Sequence, residues 1–282
     1  MRIRDVISAP GTSLLGGLKD GSGDDRFAYD EQAGWACVID GATDVGPVRL
    51  FPDAESDAAW FAEAVARTCL EYPAASAERL DQYFVRLVSE LRHRCARASI
   101  IPLEVAPRAS LPTAAVTWMR WARGNLEAAT LGDTLALIET PDGKIGVIGD
   151  VARPEDESAR ARQVMQMSRD DRLRWLAELR ARHNVEAGYW ILGVQPEAAS
   201  HLVCQTHECP EGSRGLLMTD GFYRLVSPYG RFTHRDLIRR AFEDGLGTLM
   251  TELRLLEASP DEDAEIGRFK TSDDATALMI EF

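Results

Sequence analysis

The chain has 282 residues, of which 45% are hydrophobic and 27% are charged, and this balance excludes a disordered protein. Its 32 basic and 45 acidic residues give a formal net charge of −13, which argues against a nucleic-acid-binding protein, because such proteins neutralise phosphates with Lys and Arg. No run of about 18 apolar residues predicts a membrane-spanning helix, and Met1 to Asp5 lack the apolar segment of a signal peptide, so we expect no membrane partner.

The N-terminal half predicts a β-hairpin, two amphipathic helices and a set of strands. The hairpin turns at residues 30–34, and its second strand is a continuous apolar run typical of a strand buried on both faces. Apolar residues recur on one face of both predicted helices, and Ser76 is the expected cap of the second. The predicted elements are strands at 26–29 and 35–39, helices at 57–71 and 76–98, and strands at 114–121, 126–138 and 144–148.

The C-terminal half begins with a highly charged segment, 154–183, whose apolar stripe predicts helix. After it we expect strands at 188–194, 201–205, 215–218 and 275–282, with one helix at about 233–255. Strands interrupted by helix pairs, without regular βαβ alternation, predict an α+β layered fold with antiparallel sheets. No linker divides the chain, so we expect a single domain over residues 1–282.

Five scattered cysteines, an odd number, favour a reducing cytoplasm over a disulfide framework. Cys204, His207 and Cys209 have a faint zinc-site spacing. Zinc sites usually have four ligands, however, and no second pair follows. The alternative for these residues is a strand and turn with buried thiols.

Acidic residues follow or precede several predicted strands directly, where a strand fixes its flanking residue at a sheet end. They are Asp24, Asp25, Asp40, Asp220, Asp273 and Asp274, and to these we add Asp133, which lies inside the strand-rich stretch 128–138. Carboxylates that converge at one sheet edge raise each other's pKa, and Mg²⁺ or Mn²⁺ relieves that repulsion through oxygen ligands. The spacing therefore indicates a candidate metal centre; the alternative is a set of strand-end turns, in which Asp-Gly is common.

Six short motifs follow one another along the chain. They are Gly23-Asp24-Asp25-Arg26, Asp40-Gly41, Thr113-Ala114-Ala115, Gly132-Asp133-Thr134, Thr219-Asp220-Gly221 and Ser272-Asp273-Asp274-Ala275-Thr276. The metal-dependent type 2C serine/threonine protein phosphatases carry similar motifs in this order, so the chain resembles this family over nearly its whole length. The resemblance implies a four-layer α-β-β-α sandwich, with two central antiparallel β-sheets flanked by helix pairs and a variable helical flap at about 154–187.

The resemblance also implies a site with two Mn²⁺ or Mg²⁺ ions that hydrolyses phosphoserine and phosphothreonine in phosphorylated signalling proteins. Asp40 would bridge both ions and the carbonyl of Gly41 would bind one of them. Asp24, where the family has Glu, would hold the second ion, while Asp220 and Asp273 would complete the first. Asp25 would orient the attacking water.

Two departures from the family pattern bear on activity. Ala42 stands where many members have a His that could protonate the leaving group. Asp20 stands where the family has a phosphate-binding Arg, and the neighbouring Lys19 could serve only as a point charge. These departures favour the alternative of a weak or inactive pseudophosphatase that binds phosphoproteins, whereas the retained acids favour an enzyme.

A third departure concerns an additional, weaker metal that many members bind. Its three positions here are Asp133, Asp220 and Arg224, and an arginine cannot ligate a cation. We therefore expect at most two metals, with Asp133 as a remnant of the third site and a salt bridge from Arg224 to Asp133 in its place. The alternative is an Arg224 side chain that points into solvent.

Overall fold

The computed structural model describes residues 1–12, 23–150, 164, 167–259 and 271–282, in which the strands form two antiparallel sheets. The strands are β1 Arg2–Ala9, β2 Arg26–Asp30, β3 Trp35–Gly41, β4 Thr113–Ala122, β5 Asn125–Leu131, β6 Leu135–Glu139, β7 Ile145–Ile148, β8 Leu192–Gly193, β9 Val203–Glu208, β10 Arg214–Met218 and β11 Ala275–Glu281. The first sheet has the order β1-β11-β10-β6-β7, and the second has the order β2-β3-β4-β5-β9, with β8 also paired to β4.

Helices cover the outer face of each sheet. The helices of the described ranges are α1 Asp57–Glu71, α2 Leu80–Ala98, α3 Arg169–Ala181, α4 Asp220–Tyr223, α5 His234–Asp244 and α6 Leu246–Glu257, with 3-10 turns at Arg108–Ser110 and Pro196–His201. Helices α1 and α2 pack on the second sheet around Phe61, Phe84 and Trp118. Helices α5 and α6 pack on the first sheet around Leu237 and Leu253.

A third apolar cluster lies between the two sheets and includes Val38 from the second sheet and Leu217 and Leu278 from the first. Each of these side chains is fully buried, because strand alternation sends one set of residues inward and the next set toward the helices. The α+β fold, with two antiparallel sheets between helix layers, is therefore confirmed.

Helix α1 begins where the sequence predicts, because its first turn is capped twice. The Ser56 hydroxyl accepts the N–H of Ala59 at 2.8 Å. The carboxylate of Asp44, from the loop after β3, accepts the N–H of Asp57 at 2.7 Å and that of Ala58 at 3.0 Å. These bonds satisfy N–H groups that a helix leaves without internal partners, and they tie the start of α1 to the end of β3.

Three predicted element bounds are wrong. Helix α2 begins at Leu80 with Arg79 before it, so Ser76 is not its cap. The predicted strand 126–138 is two strands in different sheets, since Gly132 takes φ 93° between them. The predicted helix 233–255 is likewise two helices, divided at Gly245 with φ 82°.

The predicted flap at about 154–187 lies partly outside the described residues. Its described part contains α3, which begins at the Ser168 cap and ends at Ala181. The strand predicted at 188–194 is reduced to the two residues of β8. No helix in the described ranges combines the length and apolar character needed to cross a membrane.

Candidate metal centre

The strand register brings the predicted acids to one end of the two sheets. In the first sheet, Ala9 pairs with Ala275 and Met218 pairs with Leu135, so the residues flanking them lie at the same edge. In the second sheet, Asp40 pairs with Ala115 near the end of β3. We call this edge the acidic end; it carries Asp24, Asp25, Asp40, Asp133, Asp220, Asp273 and Asp274.

The loop before β2 is fixed at the acidic end by side-chain bonds from both sheets. Asp274 accepts the N–H of Gly11 at 2.7 Å and the N–H of Asp24 at 3.0 Å. Asp24 in turn accepts the hydroxyl of Ser56 at 2.5 Å, which links it to the start of α1. Asp24 and Asp274 are both buried, so these bonds compensate for their loss of solvent.

Asp25 is 1% exposed and only half satisfied. Its Oδ2 atom accepts the Thr219 hydroxyl at 2.8 Å, whereas its Oδ1 atom is buried and has no hydrogen-bond partner. Buried polar atoms almost always have a partner, so an exception of this kind indicates an absent ligand, ion or water. An acceptor atom is therefore available at the acidic end.

Electrostatic repulsion among the acids is strong. Burial raises the pKa of Asp40 well above its ordinary value of 3.8, and the charges of Asp25 and Asp220 raise it further. Burial also raises the pKa of Asp25, with Asp274 as the next cause, while the Thr219 hydrogen bond opposes the shift. Positive charge placed among these carboxylates would relieve both effects.

Two glycines bring the backbone close to the acids. A Cβ atom on Gly41 would lie 2.6 Å from the carbonyl oxygen of Asp24, and one on Gly221 would overlap the carbonyl oxygen of Asp274. Larger residues would push apart the segments that carry Asp24 and Asp274. The Asp-Gly pairs in the sequence are thus packing requirements of the acidic end as well as turn signals.

The donor set fits a hard divalent cation. It consists of carboxylates and a backbone carbonyl, which are the ligands that Mg²⁺ and Mn²⁺ prefer, and the buried Oδ1 atom of Asp25 beside them has no hydrogen-bond partner. Within the described ranges, no three His, Cys, Asp or Glu side chains already converge closely enough to hold an ion. The acids nevertheless fit the metal by chemistry and charge.

Of the basic residues beside the acids, Arg26 has a structural role. Arg26 pairs with Glu63 of α1 at 3.1 Å and donates to the carbonyls of Gly23 and Asp25, so it holds the loop before β2 in place. Lys19, the predicted phosphate-binding residue, lies outside the described residues.

The residues with zinc-site spacing do not form a common site. Cys204 and His207 project from opposite faces of β9.

The predicted salt bridge from Arg224 to Asp133 is wrong, and so is the alternative of a solvent-facing Arg224. The Arg224 guanidinium lies 3.2 Å from Glu257 of α6, and its side chain is 16% exposed. Arg254 pairs with the other oxygen of Glu257 at 2.5 Å. Glu257 also accepts the N–H of Asp273 at 3.4 Å, so Arg224 belongs to an ion-pair cluster behind Asp273.

Helix α3 and the segment after it bring three residues to the acidic end that no sequence motif predicts, namely Arg180, His183 and Tyr189. Burial raises the pKa of Tyr189, as do the charges of Asp133, Asp220 and Asp40 and a hydrogen bond to Asp133. Two more, Arg180 and His183, lie beside β3 and β4. No pattern within 154–189 signals these contacts, since they depend on how α3 docks.

Comparison with known proteins gives a family and a fold. A family model described as protein phosphatase 2C matches residues 19–256, which is most of the chain. No match was found among curated proteins. The matches to solved structures have low sequence identity, so they bear on the fold alone.

Three solved structures illustrate that fold. PppA, described as a key regulatory component of T6SS in Pseudomonas aeruginosa, is 14% identical with a TM-score of 0.53, and the match covers 98% of this chain and 95% of PppA. The Mycobacterium tuberculosis serine/threonine phosphatase PstP/Ppp is 13% identical with a TM-score of 0.57, over 99% and 97%. The catalytic domain of PstP in complex with two manganese ions is 12% identical with a TM-score of 0.53, over 98% and 96%.

Proposed function

The chain belongs to the protein phosphatase 2C family of serine/threonine protein phosphatases, and we propose that it hydrolyses phosphoserine or phosphothreonine in a phosphorylated protein with two Mn²⁺ or Mg²⁺ ions at the acidic end. The observation that carries this proposal is the convergence of partly or fully buried acids whose mutual repulsion calls for cations. The PstP structure with two manganese ions supports the choice of metal by family analogy.

The proposed ligands are those that match the family positions. Asp40 would contact both ions and the Gly41 carbonyl one of them, with Asp24 on the second ion and Asp220 and Asp273 on the first. Bound divalent cations supply Lewis acidity and lower the pKa of water toward neutrality. Asp133 is kept as the remnant of a third-metal position. We also propose that the whole chain, 1–282, acts as one domain.

The chain's own residues would position the reacting groups. Asp25 Oδ1 is a free acceptor in a buried setting, so it can take a hydrogen bond from the attacking water and orient it. The Thr219 hydroxyl holds the other oxygen of Asp25 and thereby fixes the carboxylate plane. Ala42 cannot donate a proton to the leaving alkoxide, so that proton comes from solvent or from a residue outside the family pattern.

A cytoplasmic, signalling role forms part of this proposal. All five cysteines are free, and four of them are buried, which supports a reducing compartment. The second candidate function is a pseudophosphatase that binds phosphoproteins without turnover. Ala42 and Asp20 favour it, since they replace the family's proton donor and phosphate-binding Arg.

Hydrolysis of a phosphothreonine peptide with Mn²⁺, with and without EDTA, tests the proposal. Asp40→Asn and Asp220→Asn should each lower kcat/KM by about 1000-fold, because metal stabilisation of the transition state is worth several kcal/mol. Asp142→Asn is the control, since Asp142 lies in the turn between β6 and β7, at the other end of the sheet. Turnover by the wild type in EDTA would contradict the metal mechanism; peptide binding without turnover would favour the pseudophosphatase.

A further inference from the structure

The C-terminal end of α3 is fastened to the body of the protein next to the acidic end. Arg108, in the 3-10 turn before β4, donates to the carbonyls of Ala181, His183 and Asn184 at 3.0 to 3.3 Å. These bonds satisfy carbonyls that a helix end leaves open. The side chains at the end of α3 are therefore held in place relative to β3 and β4.

Arg180 extends from this helix end to the loop that follows Asp40. Its Nη2 atom donates to the carbonyl of Thr43 at 2.7 Å. Thr43 is two residues beyond Gly41, so the two lie within about 7 Å of each other along the chain. The guanidinium is thus near the residues that would hold the metal ions.

Arg180 forms no ion pair with any carboxylate in the described ranges, although the chain is strongly acidic. The bond to Thr43 uses one of its five N–H groups. Burial lowers the pKa of Arg180 to about 10, and the charges of Asp44 and Asp24 oppose that shift. The guanidinium therefore remains protonated at neutral pH, and its unused N–H groups are available to an anion.

A substrate phosphate entering the acidic end meets many carboxylates, so it needs positive charge from the protein as well as from the ions. A guanidinium is suited to this task because its planar fork matches two phosphate oxygens. At the family's Arg position in the sequence the chain has Asp20, and an aspartate carries no guanidinium. Arg180 carries such a guanidinium, although it lies on α3, far along the sequence from position 20.

We propose that Arg180 binds the substrate phosphate, so that the guanidinium comes from α3 instead of from the segment before β2. This inference rests on the proposed function, because it assumes that the phosphorylated residue binds at the acidic end. It assigns part of the 154–187 segment a direct role in substrate binding.

The test compares Arg180→Ala and Arg180→Lys with Arg182→Ala, which removes an exposed arginine two residues away. With Mn²⁺ present, Arg180→Ala should raise KM for a phosphothreonine peptide by about 10- to 100-fold, the value of one or two charged hydrogen bonds. It should weaken inhibition by inorganic phosphate by a similar factor and lower kcat less. Arg180→Lys should recover part of the loss, and Arg182→Ala should stay within about twofold of wild type.

Calorimetric titration of the Mn²⁺-loaded protein with inorganic phosphate separates this inference from the proposed function. Weaker phosphate binding by Arg180→Ala supports the inference even when the wild type shows no turnover, an outcome that would overturn only the enzymatic function. Unchanged KM and phosphate affinity overturn the inference while hydrolysis stands. A lower melting temperature with unchanged phosphate affinity also overturns it, since Arg180 would then only anchor α3.

Discussion

At the residue scale, Asp25 and Asp40 link the fold to its pH dependence. Both carboxyls have a raised pKa in the folded protein, so without metal the folded state retains protons that the unfolded chain has already released. The stability that these protons contribute is fully present below the ordinary value of 3.8. It is lost as the pH rises through the raised folded values.

Asp40→Asn should therefore stabilise the metal-free protein at pH 7 to 8. Removing one of the repelling charges should raise the melting temperature in EDTA by about 2 °C or more, and the difference should shrink toward pH 4. Thermal unfolding between pH 4 and 8 measures it.

Asp142→Asn is the matched control for this comparison. The hydrogen bond and charge of Lys144 lower the pKa of Asp142 to about 2, so its removal should bring no gain. Added Mn²⁺ should raise the melting temperature of the wild type and leave that of Asp40→Asn unchanged. A lower melting temperature for Asp40→Asn in EDTA would contradict the idea that repulsion dominates at Asp40.

Most of the acids could be predicted from the sequence because they flank predicted strands, and a strand fixes the position of its flanking residues. The role of Arg180 could not be predicted in this way. Its contact with Thr43 joins segments far apart in the sequence, and nothing local distinguishes it from the other arginines of α3. The partner of Arg224 was mispredicted for a similar reason, since Glu257 lies on α6.

At the element scale, glycine conformation accounts for the two largest errors in the predicted elements. The apolar periodicity on both sides of Gly132 and Gly245 continues without a break, whereas positive φ values end the elements there. By contrast, α1 matches its predicted bounds of 57–71, because an amphipathic face coincides with a cap at Ser56. Periodicity identifies elements well, but it does not show where the backbone turns left-handed.

Gly245→Ala should lower the free energy of unfolding by about 1–2 kcal/mol. Space is not the obstacle, since the nearest atom to an added Cβ would be an Asp5 oxygen at 3.9 Å. The cost comes from φ 82°, which an L-residue with a Cβ adopts unfavourably. Urea unfolding measures the change.

Gly247→Ala provides the comparison within α6. An added Cβ at Gly247 meets nothing within 4 Å, and the position is helical, so alanine should stabilise the protein by about 0.5–1 kcal/mol. Equal effects at the two positions would show that the backbone angle at Gly245 is not the cause.

At the scale of the whole molecule, Asp274 joins the two sheets. It precedes β11 of the first sheet, and its two oxygens accept the N–H groups of Gly11, which follows β1, and of Asp24, which precedes β2. An asparagine at this position would have only one acceptor oxygen. A carboxylate at position 274 can therefore accept both N–H groups, whereas an amide could accept only one of them.

Asp274→Asn should therefore destabilise the protein by about 1–3 kcal/mol, the cost of leaving one buried N–H without its acceptor. Denaturant unfolding in EDTA measures this, so that metal affinity does not enter. Asp30→Asn, at the exposed end of β2, is the control, because the N–H groups of Gln32 and Ala33 both bond to a single Asp30 oxygen, which asparagine retains. Stability equal to the wild type would mean that water replaces the lost bond.

The pairing of β1 with β11 has a consequence for the order of folding. Hairpins β2–β3 and β4–β5 form between neighbouring segments, whereas β1 must wait for a strand that begins at Ala275. Contacts so distant in sequence form slowly, because a long loop must close before they contribute. Asp273 and Asp274 arrive with that final strand, so a nascent or partly folded chain lacks a complete set of acids. Catalytic competence would then be acquired last, once the first and last strands have met.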